Sequence, residues 1–383
     1  MKHNQYNIDF SFVREPIRFD KYSEKEFLAY CLGATLYMPA TRDFDEIIIN
    51  RKYPGLASMV FCFEDAIDEK DVPEAEAHAL KCLDNIAEAI ESGRMDKEKL
   101  PLLFARVRTP EQFEGLAKRF EKKHLQLMTG FVFPKFTEAN GEGFYRCLTE
   151  LSKKHDEILY GMPVLESPEL AFKEIRFNGL MAIRKIIDKY SDVTLNVRVG
   201  ATDFSSVFAV RRGIDYSIYD ILPVQDCLLD ILNVFARNND YIVSGPVWEF
   251  FLVSKGNKFD ENVNFSLQSS ILKRKKLVNE AIDGLLREVI IDKANGFVGK
   301  TVIHPTHIKY VNAMQAVTEE EYNDAMQILE ASGGVMKSLS ANKMNEVNPH
   351  RNWAKKLYNR ALAYGVIKDE TEYLKLVSSE DFK

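Results

Sequence analysis

Acidic, basic and hydroxyl side chains recur in this chain at the ends of short apolar runs. Glu64 and Asp65 follow residues 58–63, Arg106 and Arg108 close residues 102–107, and Lys135 follows 131–133. Glu166 and Ser167 follow 158–165, Arg198 lies within 195–199 with Asp203 just beyond, Ser244 follows 241–243, and His304 follows 301–303. Carboxylates delivered from separate segments, with no nearby cysteine and no paired histidine, suit a hard cation such as Mg²⁺ completed by water and substrate oxygens. Arginine and lysine close by would hold a carboxylate or carbonyl and stabilise negative charge developing on it. A cation with arginine is the equipment for making or breaking a bond next to a carbonyl through an enolate.

Each of these residues also has a plainer role, and both readings stay open on the residues alone. Glu166 can be a helix N-terminal carboxylate ahead of Pro168, and Asp203 can cap the segment that follows it. Of Arg106 and Arg108, one is expected to face the site and the other to brace a helix. Glu64 and Asp65 can anchor loops, Lys135 can form a rim salt bridge, and His304 before Pro305 can be a hydrogen-bonded structural histidine.

The elements that must position these groups alternate along the chain. Eight short runs, at 35–38, 58–63, 102–107, 131–133, 158–165, 195–199, 241–243 and 301–303, are apolar on successive positions, as strands buried on both faces of a parallel sheet are. Amphipathic stretches separate them; in 73–91, Ala75, Ala79, Leu80, Leu83, Ile86 and Ile90 share one helical face. Pro110 and Pro168 are placed to open two more helices, and 222–235 and 277–294 repeat the pattern. Eight strand–helix units predict an α/β fold of the (β/α)₈ TIM-barrel type, in which chemistry sits at the C-terminal ends of the strands. A doubly wound open sheet is the alternative, and no GxGxxG follows the first strand to support its dinucleotide-binding version. The expected organisation is an N-terminal segment at 1–32, a barrel at 33–317 with a long insertion around 245–275, and a helical C-terminal extension at 318–383.

Composition narrows the class. The 383 residues are 46% hydrophobic and 28% charged, which excludes a disordered or fibrous chain. A net charge of −6, from 51 basic and 57 acidic residues, argues against nucleic acid as the partner. The basic run at 273–276 reads as a solvated helix face. Five cysteines without CxxC spacing indicate neither a zinc site nor a disulfide framework, and Cys62 reads as a small core residue. The N-terminus is unlike a signal peptide, and no apolar run approaches the roughly 18 residues of a membrane span. A cytoplasmic protein with no membrane partner is the expectation.

Several motifs, in order, resemble those of the citrate lyase beta subunit, malyl-CoA lyase and HpcH/HpaI aldolase superfamily. Leu36-Tyr37-Met38-Pro39 is similar to its "LFVP", Phe63-Glu64-Asp65-Ala66-Ile67 to "LEDAV", Arg106-Val107-Arg108 to "RVN" and Phe133-Pro134-Lys135 to "LPK". Val164-Leu165-Glu166-Ser167-Pro168 resembles "LIETP", Gly200-Ala201-Thr202-Asp203-Phe204 resembles "GTNDL", and residues 299–305 resemble "GKQAIHP". The resemblance implies Mg²⁺ held by Glu166 and Asp203, Arg106 binding substrate and steadying the enolate oxygen, and Glu64 and Asp65 supporting the metal and its waters. It implies a carbon–carbon lyase or aldolase acting on a small oxo- or hydroxy-carboxylic acid or its thioester. Lys135, Arg42, Arg198 and His304 are further candidates for substrate contact, and a homo-oligomer is implied.

The departures are local. Gly33 stands where CoA-thioester members start the first motif with arginine, which speaks against CoA, and Arg42 is placed to substitute. The third motif gains Arg108, and Arg198, Arg211 and Arg212 flank the sixth, additions that fit an anionic substrate. With the segment 244–249, these features resemble a subgroup associated with tellurium-resistance-type gene clusters. Two rival readings remain: a related barrel enzyme acting on a phosphorylated or enolpyruvyl compound, and a non-catalytic homologue that keeps a metal site.

Overall fold

The computed structural model describes residues 1–7, 9–251 and 278–377. Seven strands form one parallel sheet: β1 (Ala34–Pro39), β2 (Ser58–Cys62), β3 (Leu102–Arg106), β4 (Met128–Phe133), β5 (Tyr160–Leu165), β6 (Arg198–Val199) and β7 (Lys300–Val302), in the order β6-β5-β4-β3-β2-β1-β7. The expected run at 241–243 is not a regular strand, yet it occupies the remaining barrel position. The Val197 amide donates to Ile242 O at 2.9 Å and Ser244 N donates back to Val197 O at 3.0 Å. On the other side Val298 N donates to Val243 O at 2.9 Å and Thr301 N to Gly245 O at 3.1 Å. These bridges join β6 to β7 and close the circle, so the chain is a (β/α)₈-type barrel. Pro246, which has no amide hydrogen, ends the pairing here.

Strand parity divides the apolar residues into two cores. Leu36, Met59, Phe61, Leu103, Ala105, Phe131 and Phe133 point out against the helices. Val60, Phe104, Val132, Met162 and Val164 point into the barrel. The inward core continues into Phe19, Leu28, Tyr30, Leu32 and Tyr364, which plug the N-terminal end of the barrel. Segment 1–32 and the C-terminal extension therefore meet there. Tyr364 donates its hydroxyl to Tyr30 O at 2.6 Å, the His3 ring stacks on Tyr364 at 4.3 Å, and Val13 N donates to Val366 O at 2.8 Å.

The helices track the sequence pattern with two adjustments. Thr109 caps the helix Pro110–Ala117, which has proline in its first turn, as expected. Pro168 opens only a 3₁₀ turn, Pro168–Leu170, and the helix proper runs Lys173–Lys189. Arg176 holds that break by donating to the Leu170 and Ala171 carbonyls, both at 2.8 Å. In the extension, helices Glu319–Glu330 and Val347–Tyr364 pack together, and Val317–Thr318 pairs in parallel with Val366–Ile367. The expected break at Ser332-Gly333-Gly334 leads into a hairpin, Val335–Lys337 with Met344–Glu346. Most of the insertion expected around 245–275, and the basic run at 273–276, lie outside the described residues. Among the described residues no helix is long and apolar enough to cross a membrane. All five cysteines are free and buried.

Candidate metal and substrate site

Strand alternation extends the inward row of Val60, Phe104 and Val164 by one more position on each strand. Cys62, Arg106 and Glu166 therefore face the barrel axis at the C-terminal ends of β2, β3 and β5. Tyr37 on β1, Arg198 on β6 and Thr301 on β7 complete the ring. Together with Asp65, Asp203 and Glu249 they line a cavity of about 590 Å³.

Arg106 is the hub of the acidic side. Its Nη2 pairs with Glu64, lies 3.1 Å from Asp65 Oδ2 and lies 3.4 Å from Glu166 Oε1. Burial works against the charged form of this guanidinium, but the Glu166 and Glu64 carboxylates more than offset it, so Arg106 stays protonated. Lys135, half-exposed at the rim, pairs with Glu64 and with Asp65 at 3.0 Å. Its backbone is left-handed, with φ 45°, and this turn aims its amide at Glu166 Oε1, 2.9 Å away. Burial pushes the Glu64 carboxyl up. Burial pushes Asp65 the same way, but its hydrogen bonds with Glu64 and Lys135 and the Arg106 charge outweigh that and hold it at about 2.

Glu166 is 4% exposed and sits against Asp203, in the first turn of the helix Ala201–Val207. Burial is the main force pushing Glu166 up to about 7; the Asp203 charge adds to it and Arg106 opposes it. Asp203 is also pushed up, by burial and then by the Asp65 charge. Gly200 makes the juxtaposition feasible, because a Cβ there would meet Glu166 Cβ at 2.5 Å. Two desolvated carboxylates in contact are relieved by a shared proton or by a cation. Among the described residues no three His, Cys, Asp or Glu side chains are arranged to hold a metal ion. A two-carboxylate donor set fits Mg²⁺, which keeps several waters and takes its remaining ligands from substrate, and it does not fit a closed structural metal site.

Several expected residues are placed elsewhere. Arg108 turns away from the cavity and donates to the Phe63 and Ile67 carbonyls at 3.0 and 2.8 Å, bracing the loop that carries Glu64 and Asp65. Arg42 is exposed on the loop after β1, outside the cavity lining. His304 also lies outside that lining. Its ring stacks on Phe251 at 4.1 Å, and its Nδ1 meets Thr306 Oγ1 at 2.7 Å. Arg211 is exposed. Arg212 is buried and pairs with Glu288 and Glu249 over the Trp248 ring, which ties the cavity-lining segment 247–249 to the helix Glu280–Asn295. Sequence reasoning does not single out Tyr37, Cys62, Thr301 or Gly200 as site residues. Counting parity back from Glu166 and Arg106 finds the first three; Gly200 needs the three-dimensional contact.

The family model for the C–C bond lyases of the TIM-barrel fold matches residues 26–366. No curated protein matches the chain. Among solved structures, RipC from Yersinia pestis is 17% identical with a TM-score of 0.46, covering 75% of this chain and 95% of its own. CitE from Mycobacterium tuberculosis, crystallised with magnesium, acetoacetate and coenzyme A, is 17% identical with a TM-score of 0.48, covering 86% and 97%. A Haloferax volcanii malate synthase lead(II) complex is 14% identical with a TM-score of 0.45, covering 72% and 71%.

Proposed function

The chain belongs to the C–C bond lyase family of the TIM-barrel fold, and on that premise we propose that it is a Mg²⁺-dependent lyase or aldolase acting on a small oxo- or hydroxy-carboxylic acid. The observation that carries the reading is the contact of buried Glu166 with Asp203 beside Arg106, at the strand ends of the barrel. Glu166 and Asp203 would hold the cation, which when bound supplies Lewis-acid polarisation of a carbonyl and positive charge beside a developing enolate. Arg106 donates to the oxygen on which that charge builds, from a site where burial strengthens the interaction. The Lys135 amide and Arg106 fix the Glu166 carboxylate, so little reorganisation is needed during reaction. Glu64 and Asp65 hold Arg106 and Lys135 in place, and Asp65 is left ionised to accept a hydrogen bond from bound water or substrate.

Arg42, Lys135 and His304 are set aside as substrate contacts, because all three lie outside the cavity lining. Gly33 at the head of the first motif weighs against CoA. The reading includes a cytoplasmic homo-oligomer. Light scattering would measure the oligomeric state.

The test is Mg²⁺ calorimetry on the wild type, Glu166→Ala and Asp203→Ala, with and without pyruvate or oxaloacetate. Wild type should bind the ion, and each folded variant should lose it. Equal behaviour of all three proteins would sink the metal assignment and bring the non-catalytic reading forward.

A further inference from the structure

Two cations line the cavity, and one of them has no carboxylate opposite it among the described residues. Arg106 pairs with Glu64, Asp65 and Glu166, Lys135 with Glu64 and Asp65, and Arg212 with Glu249 and Glu288. Arg198 is the exception. It is 1% exposed, and among the described residues no carboxylate pairs with it. Its Nη2 donates to Thr301 Oγ1 at 2.7 Å and its Nη1 to Thr35 Oγ1 at 3.4 Å. Its guanidinium carbon lies 5.4 Å from the centre of the Tyr37 ring, and its Nε has no partner. These neighbours are neutral, and none of the described residues compensates the charge. A buried guanidinium without a counter-ion is costly to hold, and this one lines the same cavity as Glu166 and Asp203.

Building on the lyase reading, we propose that Arg198, with Thr301 and Tyr37, forms a second anion subsite, so that the substrate is a short dianion whose far end carries a carboxylate or phosphoryl group. The oxo-acid end would lie at Glu166, Asp203 and Arg106, and the second charge would meet the guanidinium across the barrel. Thr301 Oγ1 accepts from Arg198, so its own hydroxyl proton is available to the same anion. The arrangement also accounts for a chain that places arginine inside its sixth strand. The inward-facing position is a core position by parity, and an apolar side chain would fill it at lower cost if no ligand charge came there.

The experiment compares three ligands with the same 2-oxo-acid end. Pyruvate ends in a methyl group, oxaloacetate in a carboxylate and phosphonopyruvate in a phosphonate. Dissociation constants are measured on the full chain with and without Mg²⁺, for wild type, Arg198→Gln and Thr301→Val. Wild type should bind one of the dianions roughly ten- to a hundredfold more tightly than pyruvate, the range of one or two charge-assisted hydrogen bonds. The preferred dianion identifies the group. Arg198→Gln should erase that advantage while leaving pyruvate binding within about threefold, and Thr301→Val should lower it in part. Mg²⁺-dependent pyruvate binding with no gain for either dianion overturns the subsite and leaves the lyase reading standing. Dianion binding that is independent of Mg²⁺ and lost in Arg198→Gln supports the subsite and counts against the lyase reading. Binding of none of the three overturns both. The wild-type comparison decides the matter even if a variant fails to fold.

Discussion

Replacing Gly200 by alanine should weaken Mg²⁺ binding although no proposed ligand is altered. The φ of Gly200 is −105°, on the negative side that L-residues occupy, so the main effect is steric. An added Cβ would lie 2.5 Å from Glu166 Cβ and 3.0 Å from its Cδ, and closer still to Oε2. Restoring ordinary contact requires Glu166 to move by about 1 Å, because carbon atoms pack at roughly 3.5–4.0 Å. Glu166 cannot move that far and keep both the Lys135 amide at 2.9 Å and Arg106 at 3.4 Å. Losing one bond to a charged group costs about 1.5–3 kcal/mol, which predicts a fall in Mg²⁺ affinity of about tenfold or more. Overpacking should lower global stability by about 1–3 kcal/mol, well within what a folded domain tolerates. Calorimetric Mg²⁺ titration beside a urea melt separates the two effects. A folded variant that binds Mg²⁺ within twofold of wild type would show that the position of Glu166 does not set the metal site.

Three further perturbations test the scaffold. Lys300 is fully buried and pairs with Glu288 at 2.9 Å and Asp292 at 2.8 Å, so Lys300→Met strands buried acid and should cost about 3–5 kcal/mol in urea unfolding; a loss below about 1 kcal/mol refutes this. Gly284→Ala would drive a methyl group into the Trp248 ring, so tryptophan fluorescence should shift red as the segment 247–249 moves, and an unchanged spectrum would mean that Trp248 is not clamped there. Burial, the main cause at both positions, lowers His3 and His307 from 6.5 to about 4 in the folded protein. Their folded values lie below the unfolded one, so each contributes stability that is complete above pH 6.5 and is lost as the pH falls through about 4. The full contribution is on the order of 3 kcal/mol per residue, and His3→Leu should flatten the unfolding free energy between pH 6.5 and 4.

Local pattern alone specified a good deal of this protein. Seven of the eight apolar runs overlap parallel strands, and the eighth supplies the bridges that close the barrel. Glu64, Asp65, Arg106, Glu166 and Asp203 were legible as a set because strand period and barrel topology together bring strand ends to one rim. The path beyond the last paired residue was not legible, since no period governs a chain that has left the sheet. Arg106 and Arg108 part as expected, but β3 ends at Arg106, and the turn sends Arg108 to the Phe63 and Ile67 carbonyls of a loop instead of to a helix. Arg42 and His304 lie on connections whose direction is set by long-range packing, and both fall outside the cavity. The contact of Gly200 with Glu166, and the plug made by Phe19, Tyr30 and Tyr364, join residues that are distant in sequence. Arg198 shows the division most clearly. Its inward direction follows from the alternation of β6, whereas its lack of a carboxylate partner among the described residues depends on where the other charges came to rest, which only the folded chain decides.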